Sequence, residues 1–323
     1  MHLKSALLSL SLALPLTSAY HLAVTDQNSK TVRVFPRDAE TWNKDAIYWS
    51  FKCDYDPWPW QKDIWGDLSE VKIRKTADRG LVALVATSGG MVGMVDIKSG
   101  QKSTTLRDVV WEAFAGDNPH SLERIPYLGA FVAASSDPGK LTLYVPTDGA
   151  NNLDRIKRTY RYDVPKAHGV LWHKDNLWAI GEDYLYKYDV VGKGEDMQLK
   201  QVGKRIDLPV VKDKKGKKRA RNGHDLSASY KYDDILLLTH TAEAYTYNTT
   251  SGEFESLKMG EKLKSLVQHS SGEYAWVRGV EKNHEMGQYV RFSDEKAAGK
   301  ETTKRGWPNA DFYKARIFDP GYE

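Results

Sequence analysis

Three histidines, His120, His168 and His224, each open a short apolar run of strand length after a stretch of loop-forming residues. Lysines open comparable runs at Lys72, Lys264 and Lys314, and Arg316 follows two residues after the last. From Lys72 to Lys314 the successive openings are 48, 48, 56, 40 and 50 residues apart. A period near this length is what four-stranded propeller blades produce. In a propeller the first strand of every blade lines the central channel, so strand openings meet at one mouth although they are far apart in the chain. Six slots filled by His or Lys are hard to ascribe to packing, since an apolar channel would bury those charges without partners. A cationic mouth is therefore expected, and a cationic mouth suits a carboxylate.

Two kinds of chemistry fit three histidines there. A divalent metal held by imidazoles would need neutral rings and would normally recruit a carboxylate or water as well. Metal-free proton transfer would instead use lysine and arginine to hold a substrate carboxylate while a histidine removes an adjacent proton. Positive neighbours assist the second arrangement, because they lower a histidine's pKa and keep it neutral and able to act as a base. The lysines in equivalent slots favour this reading, so neither metal nor cofactor is expected.

The elements that must position these residues read as strands almost throughout. Helical periodicity is scarce, and apolar runs such as 81–86, 130–134, 141–145, 176–180 and 235–238 are separated by turn residues. The fold is expected to be all-β, a closed propeller of six or seven four-stranded blades. The run 312–318 supplies only one strand, and 21–26, 31–35 and 46–51 supply three, so the two ends are expected to share one blade and leave no open edge. The segment 54–65, with two prolines and three tryptophans, reads as an irregular loop whose aromatics cover a core edge.

Residues 1–19 have a basic start, an apolar run and a small-residue end, the pattern of a secretory signal peptide, which leaves 20–323 as one domain of a secreted, extracellular protein. Cys53 is alone and no intrachain disulfide is possible, so stability must come from burial and strand pairing. Asn248 begins an Asn-Thr-Thr glycosylation sequon. A net charge of +4 does not call for a nucleic acid or a membrane as partner, and a monomer is expected. The basic run 212–221 joins an outer strand to the one opening at His224, and is expected on the same rim as that histidine.

Asn118-Pro119-His120-Ser121, Ala167-His168-Gly169-Val170 with Leu177-Trp178-Ala179-Ile180-Gly181, Gly223-His224-Asp225-Leu226, and Tyr313-Lys314-Ala315-Arg316 together give the chain a likeness. It resembles a family of secreted microbial propellers that includes the fungal L-rhamnose-α-1,4-D-glucuronate lyases, which remove rhamnose caps from arabinogalactan such as gum arabic. The resemblance implies seven blades, β-elimination at a glucuronate, an acidic plant-type polysaccharide as substrate and a histidine as acid/base, carried over here to His120. In that chemistry Lys72, His168, His224, Lys264, Lys314 and Arg316 would bind substrate and stabilise the charge that develops as the C5 proton leaves. Tyr313 would be a partner acid.

Overall fold

Strands whose two faces are both covered need apolar residues at nearly every position, and the middle strands of this chain have them. Gly80–Thr87, Ala130–Ser135 and Ile235–His240 are buried along almost their whole length, because each sheet packs on a neighbour on either side. The structure, a computed structural model, describes residues 20–53, 61, 63–149, 152–279 and 286–319. The expected signal peptide at 1–19 lies outside them, as do Trp58 and Trp60; Trp65 is buried and packs edge-on against Phe51.

The described residues form a six-bladed β-propeller with helix limited to short 3-10 turns. Blade one takes its inner strand from the C-terminal part of the chain, Phe312–Phe318, followed outward by His21–Asp26, Thr31–Pro36 and Trp49–Lys52. Blade two is Leu68–Thr76, Gly80–Thr87, Met91–Asp96 and Val109–Phe114. Pro119–Ile125, Ala167–His173, Gly223–Ala228 and Leu263–Gln268 are the inner strands of blades three to six. The shared blade is thus as the sequence suggests, and the count is six where the resemblance implies seven.

Several outer strands differ from expectation. The third strand of blade one begins at Trp49, while Ala46 and Ile47 pack from a loop onto the core. Short outer strands at Phe254–Ser256 and Thr303–Gly306 have too little apolar patterning to be read from sequence. Ser103–Thr105, between the third and fourth strands of blade two, crosses over and pairs in parallel with Trp49–Lys52 of blade one. Thr104 is buried in that crossing and its hydroxyl donates to the Ser50 carbonyl at 3.1 Å.

A single irregularity recurs at the opening of all six inner strands. Each carries a β-bulge, in which two residues face one on the second strand, and the extra residue bends the strand and re-aims its side chain. The extra residues are Ser69, His120, His168, His224, Lys264 and Tyr313. Asp67, Asn118, Lys166, Asn222 and Lys262, each just before an inner strand, have positive φ. The chain therefore enters five of the six blades through a left-handed residue and then a bulge.

Candidate active site at the channel mouth

Below the bulge layer the register places Glu70, Ser121, Gly169, Asp225, Ser265 and Lys314 in a second layer, and Lys72, Glu123, Leu171, Ser227, Val267 and Arg316 in a third. Hydroxyls stitch neighbouring inner strands together: Ser69 donates to the Pro119 carbonyl at 2.6 Å and Ser227 to that of Leu266 at 2.7 Å. Six of the twelve residues in these two layers are charged: Glu70, Asp225, Lys314, Lys72, Glu123 and Arg316. Arg316 is held by Asp225 at 2.6 and 2.9 Å and by Glu70 at two contacts of 3.0 Å. Lys314 Nζ donates to Asp225 at 2.6 Å and to the His224 carbonyl at 3.1 Å. Lys72 Nζ donates to Ser121 at 3.0 Å and to the Val170 carbonyl, and Arg74 grips Glu123 at 2.7 and 2.8 Å.

This ion layer corrects the expected mouth in three places. Lys72 lies in the third layer, and Ser69 occupies the slot equivalent to His120. Arg316 is also in the third layer with its guanidinium bound between two carboxylates. Lys314 stands in the second layer with its ammonium turned onto Asp225, beneath the ring of Tyr313 at 5.3 Å. The reason is electrostatic: buried cations are tolerable only when paired, and the carboxylates that pair them line the same channel. Burial alone would raise the pKa of Asp225, but Arg316 and Lys314 outweigh it and hold the carboxylate well below its usual range. A cavity of about 20 Å³ beneath, lined by Lys72, Arg74 and Arg316 among others, has room for about one water, so the channel is plugged.

Above the plug, five of the expected residues converge. The His120 and His168 rings stack with centroids 4.1 Å apart, and His168 approaches His224 at 4.8 Å. The Tyr313 hydroxyl lies 3.0 Å from His120 Nδ1 and 3.4 Å from His224 Nε2, bridging the two rings. Lys264 Nζ sits 5.5 Å from the centre of the Tyr313 ring. His120 and Tyr313 are buried, whereas His168, His224 and Lys264 keep an edge open to the mouth. Burial first, then His168, Lys314 and Lys264, push His120 well below the ordinary histidine pKa, and His224 shifts the same way. His168 is lowered to about 4, chiefly by burial. All three rings are neutral at pH 7.

Neutral rings restrict the hydrogen placement. His168 Nδ1 lies 3.0 Å from the Lys166 carbonyl, so the proton is on Nδ1 and a lone pair remains on Nε2. A hydroxyl between two imidazoles accepts from one and donates to the other, so His120, Tyr313 and His224 form a relay that can run in either direction. His224 Nδ1 is buried without a hydrogen-bond partner, so the hydrogen-bonded run ends at that ring. The stacked His120 and His168 rings, 12° from parallel, aim their lone pairs along nearly parallel planes, a poor geometry for holding one ion. Among the described residues no three His, Cys, Asp or Glu side chains are grouped to hold a metal.

Other expected features lie elsewhere. The Asn248 amide, on the opposite face at the end of Glu243–Asn248, donates to Asp234 at 2.8 Å while its oxygen accepts from Thr250 and Ser251. A cavity of about 580 Å³, also on that face, is lined by Tyr48, Trp49, Ile97 and Phe318, with Asp45, Lys98 and Lys102 as its charged groups. Sequence reasoning missed Ser69 and the left-handed residues; the recurrence of Asp67, Asn118 and Asn222 just before strand openings was the available signal. No helix among the described residues is long and apolar enough to cross a membrane.

A family model described as a family of unknown function, DUF6528, matches residues 11–272, and the chain belongs to that family. No curated protein matches the sequence. Among solved structures, the chain is similar to a candidate 6-phosphogluconolactonase from Bacteroides uniformis ATCC 8492, at 11% identity and a TM-score of 0.55, covering 94% of this chain and 87% of that one. A protein from Lactobacillus plantarum is similar at 11% identity and a TM-score of 0.54, covering 93% and 100%. A functionally unknown protein from Desulfotomaculum acetoxidans DSM 771 is similar at 10% identity and a TM-score of 0.52, covering 90% and 80%. At these identities the likeness is one of fold.

Proposed function

We propose that this member of a family of unknown function is a secreted lyase whose channel mouth cleaves a terminal L-rhamnose–D-glucuronate linkage by β-elimination. The observation that carries the proposal is the relay of neutral groups, His120, Tyr313 and His224, beside the cation Lys264. Elimination at glucuronate removes the proton on C5, which is α to the carboxylate, and expels the oxygen on C4. With its Nδ1 proton given to Tyr313, His120 has a free lone pair on Nε2 to take the C5 proton. The C–H electrons form the C4–C5 double bond, the C4–O bond breaks with its electrons on oxygen, and that oxygen takes a proton, leaving free rhamnose and an unsaturated uronate. His120 Nε2 can return that proton to the departing oxygen, while the hydrogen bonds through the Tyr313 hydroxyl to His224 share the positive charge in between.

Lys264 would offset the negative charge that gathers on the carboxylate in the transition state. Lys72 and Arg316, committed to carboxylates of the plug, cannot share this work, and Lys314 acts only through the field it adds below Tyr313. A mouth closed from below favours a chain end over the middle of a polymer. Support for secretion is the signal-like pattern of residues 1–19.

The test is incubation with gum arabic oligosaccharides, following rhamnose release and the absorbance of an unsaturated uronate. Both products are expected. His120→Ala and Tyr313→Phe should each lose about 10²–10⁴-fold in turnover with melting nearly unchanged. Rhamnose released without unsaturation would mean hydrolysis. Tight glycan binding with no product would make the mouth a lectin site, and activity lost to a chelator and restored by a divalent ion would recast the histidines as ligands.

A further inference from the structure

Between Ile206–Asp207 and the inner strand Gly223–Ala228 the chain makes a hairpin at residues 212–218, and all seven of these residues are exposed. Five are lysines and one is an aspartate, a net charge of +4 that equals the net +4 of the whole chain. The rest of the protein is thus balanced, and its entire excess of positive charge sits on one turn.

The hairpin is built. Lys212 pairs with Lys218 across it, Asp213 N–H donates to the Lys217 carbonyl at 2.9 Å, and the Asp213 carboxylate accepts from the N–H groups of Lys215 and Lys217 at 2.8 and 2.9 Å. Its only acid is therefore spent on shaping the turn. Two arginines fix the base: Arg221 donates to Asp183 of blade four at 3.0 Å, and Arg219 pairs with Glu261, three residues before Lys264 of blade six. Lys212, Lys214, Lys215, Lys217 and Lys218 have no acidic partner among the described residues. Like charges crowded on a turn repel one another, so they cost stability unless something anionic answers them.

We infer that this hairpin is a docking site for an acidic polysaccharide, which it holds by several carboxylates while the end of the glycan enters the mouth. The inference rests on the lyase reading for the role of the mouth, and on the hairpin's own charge and anchoring for the binding. It stands on the rim of the mouth, since Asn222 and Gly223 alone separate Arg221 from His224. The chemistry favours spaced carboxylates over other polyanions. The turn has no aromatic side chain on which a base could stack and no free arginine to fork onto a phosphate. It also has no apolar side chain to enter a membrane surface.

The experiment uses the full chain and a variant carrying Lys214→Ser, Lys215→Ser, Lys217→Ser and Lys218→Ser, with polygalacturonate as the probe. The parent should bind it with an affinity that falls as salt rises, and the variant at least about tenfold more weakly at low salt, with unchanged melting. On a short oligosaccharide ending in rhamnose–glucuronate the two proteins should turn over equally. Equal polygalacturonate binding by parent and variant would overturn the inference, as would binding to duplex DNA or anionic vesicles that exceeds binding to the glycan at the same salt. A parent without lyase activity that still binds through the hairpin would sink the reading of the mouth and leave the dock standing.

Discussion

Tyr313 links two imidazoles that would otherwise be isolated, and the protonation of this trio sets how the protein responds to pH. Buried histidines that stay neutral in the folded state bind protons more readily once unfolded. Stability contributed by His120, His168 and His224 is therefore full above pH 6.5 and falls as pH drops below it, continuing down to about 4 for His168. His173 and His240 are lowered as well, so the whole-protein slope has other contributors. Thermal melts at pH 7 and pH 5 should show a lower midpoint at pH 5, with a smaller difference in His168→Asn. The rate of glycan cleavage should be level from pH 6.5 to 8 with its acid limb below 6.5. An acid limb at or above that value would mean that the base is a solvated histidine and not His120.

At the scale of the element, the bulge decides what reaches the mouth. Asn118, at φ 55°, turns the chain into the strand Pro119–Ile125, and its side chain donates to the Ser136 hydroxyl at 2.9 Å. A β-branched residue at such a φ is strained by roughly 1–2 kcal/mol. Asn118→Val should lower stability by about that much or more and reduce turnover, while Asn118→Gly should keep the backbone; melting and activity assays on the pair separate strain from the lost hydrogen bond. The same device explains what the sequence could and could not reveal. Strand-length apolar runs and the His120 to His168 spacing were enough for the blades, their closure and the meeting of three histidines. A bulge leaves no mark in hydrophobic periodicity, so counting 48 residues back from His120 arrived at Lys72, three residues past the true equivalent, Ser69. Lys72 and Arg316 are inward-facing as expected, but two layers deeper than the histidines, and only the register shows it.

On the scale of the whole molecule, Lys314, Arg316, Glu70 and Asp225 bring three blades together at the axis, and the network cannot lose one member cheaply. Arg316→Leu would leave two buried carboxylates facing each other and should destabilise by about 3–5 kcal/mol; denaturant unfolding would measure it, and a change within error would mean that water had replaced the guanidinium. Arg316, Lys314 and Tyr313 all arrive on one strand, Phe312–Phe318, which follows every other blade strand in the chain. During synthesis blades two to six can therefore pair internally while His21–Asp26 has one edge still bare. Exposed edges invite pairing with other chains, so the nascent protein passes through a stage in which its first blade is open and the Tyr313 hydroxyl is still missing from the mouth. The histidine–tyrosine cluster and the closed ring are completed in the same event, so a chain cut short before residue 312 would lack both, and on the proposed function it would be inert as well as a target for quality control.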